Sequence, residues 1–269
     1  MKRMYVLVAA LWTVVACLPA FAQTDEEKAR AILEANKKAV VTVKMVIKEK
    51  YSMGGESQDN ESKTEATGAV IGDDGLTVLA LSSTDPTTVI RNMMGSRADD
   101  MEMSCEITDM KFLLDDGTEI SAKVVLRDNE LDLAYARPLT KPAAPMAFID
   151  LKNEAKPQLL EQLVAVNRLG KVANRVYALS FERVEAIVDK PRTFYAPGQD
   201  PTNSAQGSPV FALDGKIVGI FVLRTIKDTS GGRGGMFGGS RENMMPILLP
   251  AADILESAQQ VPAWDAAGS

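Results

Sequence analysis

Strand-length runs of apolar, β-branched residues follow one another along this chain with tight turns between them and almost no helix-length segments. In the first half they are VVTVKMVI (40–47), ATGAVI (66–71), LTVLAL (76–81), EITDMKFLL (106–114), TEISAKVVL (118–126) and LDLAYA (131–136). The second and third are joined by GDDG (72–75) and the fourth and fifth by DDG (115–117), both hairpin signals, because glycine supplies the positive φ that a tight turn needs. The strands of this half are joined by turns without intervening helices, which points to an antiparallel barrel or sandwich. After a stretch punctuated by Pro138, Pro142 and Pro145 the pattern recurs: LVAVNRLG (163–170), RVYALSF (175–181), VEAIV (184–188), VFAL (210–213), IVGIFVL (217–223) and MPILL (245–249). Two sets of similar length predict an all-β fold of two antiparallel barrels side by side, over 39–150 and 151–250, with a cleft between them as the natural ligand site.

The flanks are helical. TDEEKARAILEANKK (24–38) has a cap at Thr24 or Asp25, acids in its first turn and lysines in its last, so a helix is expected over 23–38. AADILESAQQ (251–260) opens a C-terminal helix and tail over 251–269. Residues 49–65 are polar and hold Gly54-Gly55, which predicts a loop, and 83–104 read as an irregular excursion. The run GGRGGMFGG (231–239) lacks the Lys-Ser/Thr of a phosphate loop and reads as a loop between strands.

Several function classes drop out on composition. The chain has no histidine, which removes histidine metal ligands and the commonest general base near neutral pH. Its two cysteines, Cys17 and Cys105, offer no paired metal site, so neither a metal nor another cofactor is expected. Lys2 and Arg3 precede an apolar run, Pro19 and AFA (20–22), the pattern of a signal peptide over 1–22; the run is too short to span a bilayer comfortably and no later one is longer. Those two residues are the only charged ones before Gln23, so removing the segment takes the formal net charge from −6 to −8, which argues against a nucleic-acid partner. Export to a periplasmic or extracellular location follows. VVAC (14–17) also resembles a bacterial lipoprotein cleavage box, which leaves a lipid anchor at Cys17 as the alternative processing. Cys105 reads as a small buried apolar residue rather than a reactive thiol.

Three stretches together resemble the trypsin-like serine peptidases of the HtrA (Deg) type. GAVIGDDGLTVLALS (68–82) is similar to the end of the family's G-x-G-x-V-I-x-x-x-G-x-I-L-T-N-x-H, whose last residue is the catalytic base. DGTEISAKVVLRDNELDLA (116–134) matches D-G-x-x-x-x-A-K-V-V-x-x-D-x-x-x-D-L-A, whose final aspartate orients that base. SAQGSPVFALDGKIVG (204–219) is similar to G-N-S-G-G-P-L-x-N-x-x-G-x-V-I-G, which carries the nucleophilic serine. VAVNRLG (164–170) also resembles a second-barrel motif. The resemblance covers roughly 38–258, and no PDZ domain follows, unlike in many members.

Position by position, the resemblance places Ser82 at the histidine, Asp132 at the aspartate and Gln206 at the nucleophile. Ser204, Gly207 and Ser208 fall in the loop whose backbone builds the oxyanion hole. The chemistry needs an activated hydroxyl beside a base that an acid holds in place. A glutamine amide has no such hydroxyl, and a serine is no base at neutral pH. The resemblance therefore implies an inactive homologue that binds peptide or protein segments, or regulates an active envelope peptidase, with homo-oligomers as a further option. An active hydrolase using Ser204 or Ser208, and a structural envelope protein without a ligand, are the alternatives. Asp132 is expected to bond buried backbone rather than to act in catalysis. Gln206 is expected either to satisfy neighbouring polar groups or to touch a ligand. Arg233 and Phe237, near the family's specificity pocket, read as solvated loop residues.

Overall fold

The computed structural model describes residues 23–53, 56–94, 98, 101–198, 205–225 and 244–264. The first barrel is a closed ring of β1 (Val40–Met53), β2 (Glu56–Val70), β3 (Thr77–Ala80), β4 (Glu102–Leu113), β5 (Glu119–Asp128) and β6 (Leu133–Pro138), in the order β1-β2-β3-β6-β5-β4. The second closes β7 (Gln162–Arg168), β8 (Tyr177–Val188), β9 (Phe194–Pro197), β10 (Pro209–Ala212), β11 (Ile217–Thr225) and β12 (Met244–Pro250), in the order β10-β11-β12-β9-β8-β7. Read from its own first strand, the second ring repeats the first: first, second, third, sixth, fifth, fourth. All ladder pairings are antiparallel, and closure leaves the paired parts of the strands without free edges.

Helix α1 (Asp25–Asn36) starts in a capping box: Glu27 N donates to Thr24 Oγ1 at 3.2 Å and Thr24 N to Glu27 Oε2 at 3.0 Å. The lysines expected in its last turn, Lys37 and Lys38, fall in a 3-10 turn beyond it. Both expected Gly-closed turns form, with Ile71 N donating to Leu76 O at 2.7 Å and Leu114 N to Thr118 O at 2.9 Å. The apolar core is largely continuous across the two barrels, from Val43, Leu79, Phe112 and Tyr135 to Phe211, Val222 and Ile247. Helix α3 (Ala251–Ala258) leaves the second barrel and locks onto the first: Tyr135 Oη donates to Ile254 O at 2.9 Å, and Ser257 Oγ to Asp128 Oδ2 at 2.7 Å.

Four local expectations change. Residues 49–65 are not a loop but the far half of a β1–β2 ribbon, paired residue by residue from Val40↔Ala69 to Met53↔Glu56. Its apolar signal is weak because its outer face is solvated and alternates charge, as where Lys48 faces Glu61. Within 83–104 lies helix α2 (Pro86–Met94), opened by Asp85, whose Oδ1 accepts from Thr87 N at 3.1 Å, with proline at the first helical position. The runs 175–181 and 184–188 are one strand, β8, with a register shift between Val184 and Ala186. The sixth strand of that ring is instead β9, four residues placed after Pro191. Residues 1–22, with Cys17 and the expected signal peptide, and 231–239, with Arg233 and Phe237, lie outside the described residues. Among the described residues no helix is long and apolar enough to cross a membrane.

Gly219 sets how closely β11 approaches β12: a Cβ there would collide with the carbonyl oxygen of Leu249, which is main chain and cannot turn aside. Gly219→Ala is therefore expected to destabilise the fold by roughly 2–4 kcal/mol. A urea midpoint equal to that of the parent would contradict this packing.

Candidate active site

Three turns meet where the barrels touch. Ser82 sits in the 3-10 turn Leu81–Ser83 that continues β3, and Asp132 immediately precedes β6. Leu81 N donates to Asp132 O at 2.8 Å, which fastens these two turns together. Asp132 adopts φ +57°, a left-handed conformation in which Asp is among the better tolerated residues. Gln206 and Gly207 form the turn ahead of β10, in the second barrel. Gly207 has φ +81°, and a Cβ on it would strike the carbonyl oxygen of Thr67 in β2, so the contact between barrels here requires glycine.

The structure brings Ser82, Asp132 and Gln206 into one hydrogen-bonded cluster. Asp132 Oδ1 accepts from Ser82 N at 2.7 Å, and Oδ2 accepts from Leu223 N of β11 at 2.8 Å. Ser82 Oγ lies 2.9 Å from Asp132 Oδ2 and 3.2 Å from Gln206 Oε1, and Ser83 Oγ donates to the same Oε1 at 3.3 Å. Burial pushes the Asp132 carboxyl up to about 6, against the hydrogen bonds from Leu223 and Ser82 that pull it down. A single proton on Ser82 cannot serve both neighbours. With Asp132 protonated, its O–H donates to Ser82 Oγ and Ser82 donates onward to Gln206 Oε1. With Asp132 ionised, Ser82 donates to the carboxylate, and Gln206 must present its Nε2 to Ser82 instead.

Of the other residues singled out, Gly207 N donates to Phe221 O at 2.8 Å and Ser208 N to Ala205 O at 3.0 Å. Ser208 is fully buried and its Oγ has no hydrogen-bond partner among the described residues, so a substrate could not reach it. Ser204 lies outside the described residues. Cys105 is half-buried, with Sγ 3.6 Å from Thr84 O, and burial pushes its thiol up to about 12, which makes it a packing residue and not a nucleophile.

A cleft of about 340 Å³ opens beside the cluster, lined among others by Ser82, Asn92, Leu131, Leu223, Arg224 and Ile247. Sequence reasoning passed over its α2 wall, although Asp85-Pro86 is a cap followed by a first-turn proline, and it passed over Arg224. Asn92 Nδ2 donates to Thr225 Oγ1 at 2.7 Å, which ties α2 to the second barrel across the cleft.

Two six-stranded antiparallel barrels with a polar cluster at their junction define a trypsin-like double-barrel fold. The sequence profile of the trypsin-like peptidase domain matches residues 66–220, more than half of the chain, and the chain belongs to that family. The matched region contains Ser82, Asp132 and Gln206. A comparison with curated proteins finds no match.

Asp132 binds its proton more tightly folded than unfolded, where its value is near 3.9. Its contribution is fully present below about pH 4 and is lost as pH rises through about 6. Two units correspond to about 3 kcal/mol. Asp132→Asn cannot ionise, so the stability difference between parent and variant should shift by up to this amount, against the parent, from pH 4 to pH 7. Denaturant titrations at both pH values measure it; a pH-independent difference would contradict the assigned burial.

Proposed function

We propose that this chain is an exported, HtrA-type member of its family that has lost proteolysis and uses the junction of the two barrels to bind an extended peptide or protein segment. The observation that carries the reading is the cluster itself. The amide of Gln206 accepts hydrogen bonds at the nucleophile position, and Ser82, a hydroxyl, stands beside Asp132 where a base is needed. With no histidine anywhere in the chain, no imidazole can enter from another segment. Loss of triad members leaves at most the residual catalysis of binding and the oxyanion hole. What supports a retained binding role is the open cleft beside the cluster, bordered by the end of β11 up to Thr225, which pairs with β12 but runs past its pairing with β10; an unpaired strand edge can accept an extended peptide by β-addition. Export rests on the basic start, the short apolar run and AFA (20–22).

The mature protein is expected to show no turnover of casein or peptide substrates and no labelling by a fluorophosphonate probe, which needs an activated serine. Labelling mapped to Ser82 or Ser204 would overturn the loss of proteolysis and favour a hydrolase with rearranged chemistry. Envelope proteins or peptides retained on the immobilised chain, and released by competing peptide, would identify what the cleft holds.

A further inference from the structure

The cleft beside Ser82 has one charge arrangement that the loss of catalysis does not explain. Arg224, on β11, lines it, and the Arg224 guanidinium rests over the ring of buried Phe194, 5.0 Å from the centroid. Stacking on an aromatic face restrains the long side chain, while the N–H groups at the edge of the guanidinium plane remain able to bind. Among the described residues no carboxylate lies within ion-pair distance of Arg224. Two carboxyl groups share the cleft wall. Glu130 is paired with Arg192 at 3.4 Å, and Asp132 is held by Ser82 and Leu223. The rest of the lining mixes polar side chains (Thr88, Asn92, Thr225) with the apolar Val89, Leu131 and Leu223.

We propose that Arg224 is the specificity-determining residue of this cleft and that it selects segments bearing a carboxylate. The inference rests on the peptide-binding reading above and deepens it. The protein as a whole is strongly acidic, so its general field repels such a ligand, and selection must come from a local, oriented donor. A planar fork held against the Phe194 ring is such a donor, because a carboxylate can take two parallel N–H bonds from it, whereas a neutral amide of the same shape leaves one of them unmatched. An acidic side chain and a free chain terminus present the same group, and the test separates them.

Panning a randomised library of extended peptides on the mature protein, with both ends blocked, is expected to enrich Asp or Glu at a single position. A parallel library with free C-termini shows whether the terminal carboxylate serves instead. Selected peptides, remade with Gln for Glu or with an amidated end, should bind about tenfold more weakly to the parent. Arg224→Gln should bring the ratio of the affinities for the acidic and neutral peptides close to one, and Arg224→Lys should keep part of the discrimination. Enrichment without any acidic preference, or a preference that survives Arg224→Gln, would overturn the role of Arg224 and leave peptide binding standing. No enrichment of any peptide would overturn both.

Discussion

The carboxyl group of Asp132 is the point on which the junction depends. It belongs to the first barrel, is half-buried, and takes main-chain donors from both sides: Ser82 N from its own barrel and Leu223 N from β11 of the other. An unpaired buried N–H costs about 1–3 kcal/mol. Removing this carboxyl would orphan one on each barrel and loosen the contact that Gly207 makes against Thr67. The position therefore has a structural task that does not depend on chemistry. That accounts for how an aspartate can sit in this place beside a serine and a glutamine and still be satisfied.

Gln206 completes the same logic from the second barrel. Two hydroxyls, Ser82 and Ser83, converge on its Oε1, and an amide has both a donor and an acceptor with which to answer either protonation state of Asp132. The polar groups at the junction close on one another instead of waiting for a substrate. The open part of the junction is the adjoining cleft, whose walls come from the 129–132 turn, α2 and the β11–β12 pair, with Arg224 as its cation. The cleft and the Ser82–Asp132–Gln206 cluster are thus side by side but physically separable.

Much of this was legible in the sequence. The β-branched runs and the GDDG and DDG turns gave the first barrel nearly strand for strand, and the three family-like stretches named the residues that meet at the junction. What escaped had weaker local signals. The β1–β2 ribbon is exposed and held by charge alternation and backbone pairing, so no apolar period marks it. Strand β9 is four residues long, and β8 continues through a bulge that reads as a break. Helix α2 carried its signal in Asp85-Pro86, inside a segment otherwise read as irregular. The bond from Leu223 N to Asp132 joins residues far apart in the chain, and Arg224 lines the cleft only because β11 passes it; neither is visible before the barrels are assembled.

The central claim is that chemistry was lost at a few positions on an intact scaffold. The most direct measurement is fluorophosphonate labelling of the folded variant Ser82→His, Ser204→Gly, Gln206→Ser, Ser208→Gly beside each single substitution. These changes supply a base and a nucleophile, set glycine at positions 204 and 208, and remove the Ser208 hydroxyl, which has no partner among the described residues, while Asp132 is already within hydrogen-bond distance of residue 82. The account predicts that the fourfold variant labels and the single ones do not, because triad members act as a unit. A fourfold variant that folds like the parent and stays unlabelled would contradict it.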